Sequence, residues 1–144
     1  MKRFEFSLET VLKLRVSQER EWENQLASIT GECERIRKSI VDFEAEKNRC
    51  AVENQFRDVN SLMAVANYQA RMDSQVRKAQ KQLVLKERER ESVLKDFIEA
   101  SKKRKILDKL KEKKMDEYHH LRNKFDEKMN DDINNSVYGN QRRI

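Results

Sequence analysis

Proline is absent from this 144-residue chain, glycine occurs only twice, and aromatic side chains make up 7% of it. With no proline to remove a backbone donor and almost no glycine to loosen the chain, nothing in the interior obliges a helix to stop. The same scarcity leaves no glycine-rich loop to cradle a phosphate. No apolar stretch approaches the ~18 residues of a membrane span. The opening Met1-Lys2-Arg3-Phe4-Glu5-Phe6 is basic but has neither the apolar run nor the small-residue cleavage site of a signal peptide. Two cysteines, Cys33 and Cys50, stand 17 positions apart. On one helix that is roughly 25 Å at 1.5 Å per residue, too far for a bridge within the chain. A reducing, cytoplasmic setting fits this cysteine usage.

What the chain has in quantity is charge: 40% of its residues are Asp, Glu, Lys or Arg, with a net charge of +6. Together with abundant Leu and Gln, that is the composition of long helices and coiled coils, provided an apolar period is present. It is. From Trp22 the apolar residues fall at Leu26, Ile29, Cys33, Ile36, Ile40 and Phe43, in steps that alternate four and three. Such spacing keeps one narrow stripe on a supercoiling helix. The frame extends back through Arg15, Leu12 and Leu8 and forward to Lys47 and Cys50.

A second frame of the same kind runs through Met72, Val76, Ala79, Leu83, Lys86, Arg90, Val93, Phe97, Ala100, Arg104 and Leu107. Folding the chain back near Val59 sets Phe43 opposite Val76, Ile36 opposite Leu83, Leu26 opposite Val93, Trp22 opposite Phe97 and Leu12 opposite Leu107, each pair of numbers totalling 119. This mirror relation predicts an all-α fold, an antiparallel coiled-coil hairpin of two helices. Helix 1 is expected over about residues 7–57, a turn at about 58–61 capped by Asn60 or Ser61, and helix 2 over about 62–133. The tail from 134 to 144, with Asn135, Ser136, Gly139 and Asn140, reads as flexible. Near the tip the stripe gives way to a displaced row, Val52, Phe56 and Val59. At the other end the frame persists as Tyr118, Leu121 and Phe125 after the first helix has run out of residues to face it, so an exposed helix end overhangs.

Two helices that bury only a stripe offer no closed pocket for chemistry. His119 and His120, as neighbours on a helix, diverge by roughly 100°, and Asp116 with His120 makes at most half a metal site. No catalytic residue, metal or cofactor is expected. The run Lys102 to Lys105 invites nucleic acid, but interleaved acidic residues and the lack of an aromatic platform favour a solvated face or an acidic protein partner. Arg15 and Glu19, four apart in the stripe, either set register or meet a partner.

The N-terminal pattern Phe4-x-Phe6-x-Leu8-x-x-Val11-Leu12-x-x-Arg15-x-x-x-Glu19 resembles the opening of the FliJ family, small coiled-coil proteins of the bacterial flagellar export apparatus. The end is similar too: a basic stretch into Leu107-x-x-Leu110, then Tyr118, Glu127-Lys128 and Asp131-Asp132, where the family usually has Asp-Glu. The resemblance implies a non-enzymatic stalk in the ring of the export ATPase, touching the cytosolic domain of the export gate, with a role in handling export chaperones. It implies a cytoplasmic protein peripherally associated with the inner membrane. The ATPase contact is expected at the paired terminal end, at Phe4, Phe6, Arg15, Tyr118, Leu121 and Phe125 with the basic stretch before them. The family's gate contact has a four-three-four spacing, which occurs here at Met72, Val76, Ala79 and Leu83; a local alignment through Asn67-Tyr68-Gln69 moves it to Arg71, Gln75, Lys78 and Gln82. The competing readings are a scaffold that dimerises through its stripe and a basic nucleic-acid-binding helix pair. The stalk reading expects a monomer in isolation.

Overall fold

A computed structural model describes residues 1–53 and 58–143. Among them the chain forms two helices, α1 over Glu9–Glu53 and α2 over Val59–Gln141. Every frame position from Leu8 to Cys50 is buried or half-buried, as is every one from Met72 to Leu107. The residues between them are mostly exposed. The two stripes are therefore where side chains leave water, and an all-α antiparallel helix pair is the observed fold. The residues group into two units, one of Glu19–Glu99 and one of Met1–Gln18 with Ala100–Ile144.

In the first of these, α1 and α2 run antiparallel on a thin core. Cys33 is fully enclosed, and Ile29, Val65, Val76 and Ala79 are buried, whereas Trp22, Leu26, Ile36, Phe43 and Phe97 keep part of their surface in water. Polar bridges flank the stripe. Lys47 Nζ meets Asp73 at 2.8 Å, Arg90 Nε donates to Thr30 Oγ1 at 3.1 Å, and Lys86 Nζ meets Glu32 at 2.8 Å. The first two pairs have numbers totalling 120 and the third 118, within one of the register expected from the stripes. Lys86 and Arg90 thus occupy stripe positions by laying their stems along it and passing their charged ends to α1 at its edge. Arg37 joins α1 to α2 through Glu87 at 2.6 Å and also holds Glu34 on its own helix.

The start of α2 differs from the sequence expectation. Asp58, not Asn60 or Ser61, caps α2: its carboxylate accepts the Ser61 N–H at 2.7 Å, and its carbonyl accepts the Leu62 N–H at 3.2 Å. A short acidic side chain does this at the N-cap and gains from the positive end of the helix dipole. The Ser61 N–H holds the Asp58 carboxyl below its ordinary value. Helix 2 therefore begins at Val59, inside the expected turn. Phe56, Arg57 and the expected last turn of helix 1 lie outside the described residues. Of the displaced row, Val52 and Val59 do not pack, being 84% and 70% exposed. Instead the stripe continues through Val65, and Tyr68 donates its hydroxyl to Glu46 at 2.9 Å.

In the second unit, the start of α1 lies along the later part of α2. Leu12 and Ala100 are buried, with Leu107 and Leu110 half-buried beside them. Lys111 Nζ reaches Glu9 at 2.8 Å. The helix does not end near residue 133 but continues to Gln141, through the residues expected to form a flexible tail. Asn and Gly depress helix propensity there without stopping the ladder, because no proline follows.

Two outcomes follow for the Glu19–Glu99 unit. Spin labels on outward neighbours of Leu26 and Val93 are expected roughly 10–20 Å apart, from an interaxial spacing of about 8–10 Å, and dilution with unlabelled chain leaves that distance unchanged. Loss of the short distance on dilution means the contact is between chains. Because Trp22 and Phe97 are half-buried, truncating either to Ala costs less than the roughly 3–5 kcal/mol of a fully buried aromatic. The second outcome concerns pH. The Lys86 ammonium, by hydrogen bond and by charge, holds the Glu32 carboxyl below its ordinary 4.5, and Glu32 in turn raises Lys86 above 10.5. The stabilisation from Glu32 is present above about pH 4.5 and is lost as pH falls through the lowered value; that from Lys86 is lost only as pH rises beyond 10.5. Circular-dichroism melts of Glu32→Gln from pH 7 to 3 should show a smaller loss of Tm than the unchanged chain. An equal loss contradicts the assignment.

Candidate functional site

The face that draws attention is on the terminal unit, where the non-helical residues 1–6 lie against α2. The rings of Phe4 and Tyr118 sit 5.6 Å apart at 50°, and the Tyr118 hydroxyl donates to the Lys2 carbonyl at 2.9 Å. Phe6 is half-buried and, with Arg3, Phe4, Glu9, Lys111 and Met115, lines a shallow groove of about 510 Å³. The aromatic start of the chain thus closes over the last half-buried turn of α2, and Tyr118 is the residue that ties it down. Its ring also meets His119 edge-on at 5.7 Å. Arg15 is half-buried further along α1 and donates to Gln18 Oε1 at 3.2 Å.

From His119 to Arg143 every side chain is exposed. Leu121 and Phe125, the two expected site residues on this stretch, are 58% and 46% exposed and continue the face that Tyr118 ends. Phe4, Phe6 and Tyr118 are brought together, then, and Leu121 and Phe125 follow them along α2 without cover. The apolar row goes on past the point where the sequence reading stopped: Met129, Ile133 and Val137 follow at steps of four, all exposed. At 100° per residue, Tyr118 to Ile133 fall within an arc of about 120°, one face of the helix. The signal was present in the sequence as a four-step row, but a four-three frame loses it at Lys128 and Asp132.

Met72, Val76, Ala79 and Leu83 lie in the other unit. Val76 and Ala79 are buried, and Met72 and Leu83 half-buried, all on the stripe that faces α1. Their side chains are largely committed to packing the hairpin. The shifted set is the accessible one: Arg71, Gln75, Lys78 and Gln82 are exposed, and the last three line a groove of about 530 Å³ with Ile36, Ser39 and Phe43.

No group of three His, Cys, Asp or Glu side chains that could hold a metal ion occurs among the described residues. Neither Cys33, which is buried, nor Cys50 is in a disulfide. No helix among the described residues is long and apolar enough to cross a membrane. The grooves are open, and the chemistry on view is that of surfaces: an apolar row with charged flanks, and a polar groove beside a packed stripe.

Compared with models of protein families, residues 4–143 match that of the flagellar FliJ protein. No curated protein and no solved structure matches the chain.

Proposed function

Taking as premise that the chain belongs to the FliJ family, whose members are non-enzymatic components of the flagellar export apparatus, we propose that it is a stalk joining the export ATPase ring to the cytosolic domain of the export gate. The observation that carries this reading is the apolar face that continues from Tyr118 through Leu121 and Phe125 after its intramolecular cover ends. Exposed apolar residues in a regular row mark a missing partner, because a lone helix with that row in water gains nothing from it. A helix end of this kind fits into a ring of subunits, where apolar side chains can be covered from more than one side. Phe4 and Phe6 form the collar at its base, and Arg15 lies above them on α1.

The gate contact is proposed at the groove of the hairpin unit, through Gln75, Lys78 and Gln82 with the edges of Ile36 and Phe43. Burial of Val76 and Ala79 is the reason for preferring this set: pulling those side chains out to meet a partner would open the hairpin. Association with the inner membrane would then be indirect, by way of the gate. Handling of export chaperones is part of the same proposal, on family membership alone.

Changing Leu121 and Phe125 together to Ser tests the ATPase contact. Affinity for the cognate export ATPase, and stimulation of its hydrolysis at limiting chain, are expected to fall by about tenfold or more, since interface anchors are worth upward of ~1 kcal/mol each. Circular dichroism should show the helices intact. Unchanged stimulation contradicts the assignment. So does a variant whose only defect, by sedimentation, is loss of self-association, because that result gives the face to a second copy of the chain.

A further inference from the structure

The basic stretch of α2 does not form one patch with the apolar face. At 100° per residue, Lys102, Lys105, Lys109 and Lys113 fall within an arc of about 80°, and that arc is centred roughly opposite Ala100, Leu107 and Tyr118. Arg104, in the middle of the sequence run, turns instead toward the half-buried side and pairs with Asp108. Lys111 pairs with Glu9 and Lys114 with Glu117. The four lysines on the outer face have no ion-pair partner among the described residues. Ile106 stands at one edge of this arc, 66% exposed. Lysines four apart repel along a helix, and Asp108, Glu112 and Asp116, three positions on from Lys105, Lys109 and Lys113, offset that repulsion without closing an ion pair to these lysines.

We infer that this outer face of α2 is a second docking surface, for an acidic helical segment of another protein that carries carboxylates at three- and four-residue spacing around one apolar side chain. Spacing and chemistry single out that occupant. The ammonium groups recur every turn along about 16 Å of helix, which is the repeat of acidic residues on one face of a partner helix. Ile106, at one edge of the row and midway along its length, offers an apolar contact that a phosphate backbone has no use for. Asp116, on the same arc one turn past Lys113, ends the row, which suits a short acidic segment rather than a continuous polyanion, and the face has no arginine and no aromatic ring to grip bases. A bilayer would receive a single apolar side chain from this face, too little to insert. Because this surface and the Tyr118–Phe125 face lie on opposite sides of one helix, both can be occupied at once. The inference does not depend on which protein covers the apolar face.

The test uses the full chain and a fluorescent synthetic helix with four Glu at three-four-four spacing around a Leu. A scrambled peptide of the same composition, a short DNA duplex, and phosphatidylglycerol vesicles serve as comparators. Anisotropy should show the spaced peptide binding at low salt, about tenfold or more tightly than the scrambled one and more tightly than DNA or vesicles, and weakening as salt rises. The quadruple variant Lys102→Gln, Lys105→Gln, Lys109→Gln, Lys113→Gln should lose about tenfold or more of that affinity while circular dichroism shows its helices intact. Leu121→Ser with Phe125→Ser should leave that affinity unchanged. Equal binding of the scrambled peptide, tighter binding of DNA or vesicles, or an unaffected quadruple variant overturns the inference.

Discussion

Two helices packed along one stripe have no interior beyond that stripe, and each stripe position shields its neighbour only if a residue of the other helix lies across from it. In the hairpin unit the supply is met, and Ile29, Cys33, Val76 and Ala79 are removed from water as a result. Polar side chains carry the rest. Lys86, Arg90 and Lys47 hold stripe positions, and each reaches across to an oxygen on the opposite helix. Exposed ion pairs contribute little stability individually. Their value here is register, since a shift by one heptad would separate Lys47 from Asp73 and Lys86 from Glu32 at once.

In the terminal unit the supply runs out. α1 has 45 residues and α2 has 83, so the longer helix carries its apolar row beyond any residue of the shorter one. Phe4, packed on Tyr118, is the last cover it receives. The consequence is functional. A stripe that was a fold-determining seam one turn earlier becomes, with no change of chemistry, an exposed apolar surface, the one proposed above to meet a partner. The lysine face on the opposite side of the same helix has a different origin, because it lies where no intramolecular contact was ever available.

The stripe was legible in the sequence because a four-three period leaves only one way to put Trp22, Leu26, Ile29 and Cys33 on a single face, and the mirror numbering then fixed which residues oppose them. The cap was not legible: Asp58, Asn60 and Ser61 are all good N-caps, and only the backbone path decides which carboxylate or hydroxyl meets an N–H. The end of α2 was missed for a related reason. Asn134, Asn135 and Gly139 lower local propensity, whereas Met129, Ile133 and Val137 hold one face in a four-step row that a heptad frame does not follow. At the candidate site, Tyr118, Leu121 and Phe125 came directly from the frame. The pairing of Phe4 with Tyr118 came from non-helical residues, for which no period exists to read. Met72, Val76, Ala79 and Leu83 show the opposite hazard, in which the spacing that marks a contact also marks a core.

The central claim is that the uncovered face of α2 beyond Tyr118 is where the export ATPase binds. Amide hydrogen exchange, measured on the chain alone and then with purified ATPase at saturation, addresses it directly. A helix with no partner opens easily, so residues 119–141 should exchange fast in the free chain and slow markedly in the complex, while the buried stripe around Ile29 and Val76 stays protected in both. If exchange of residues 119–141 is the same with and without the ATPase, or if protection appears only within residues 59–99, the account is wrong.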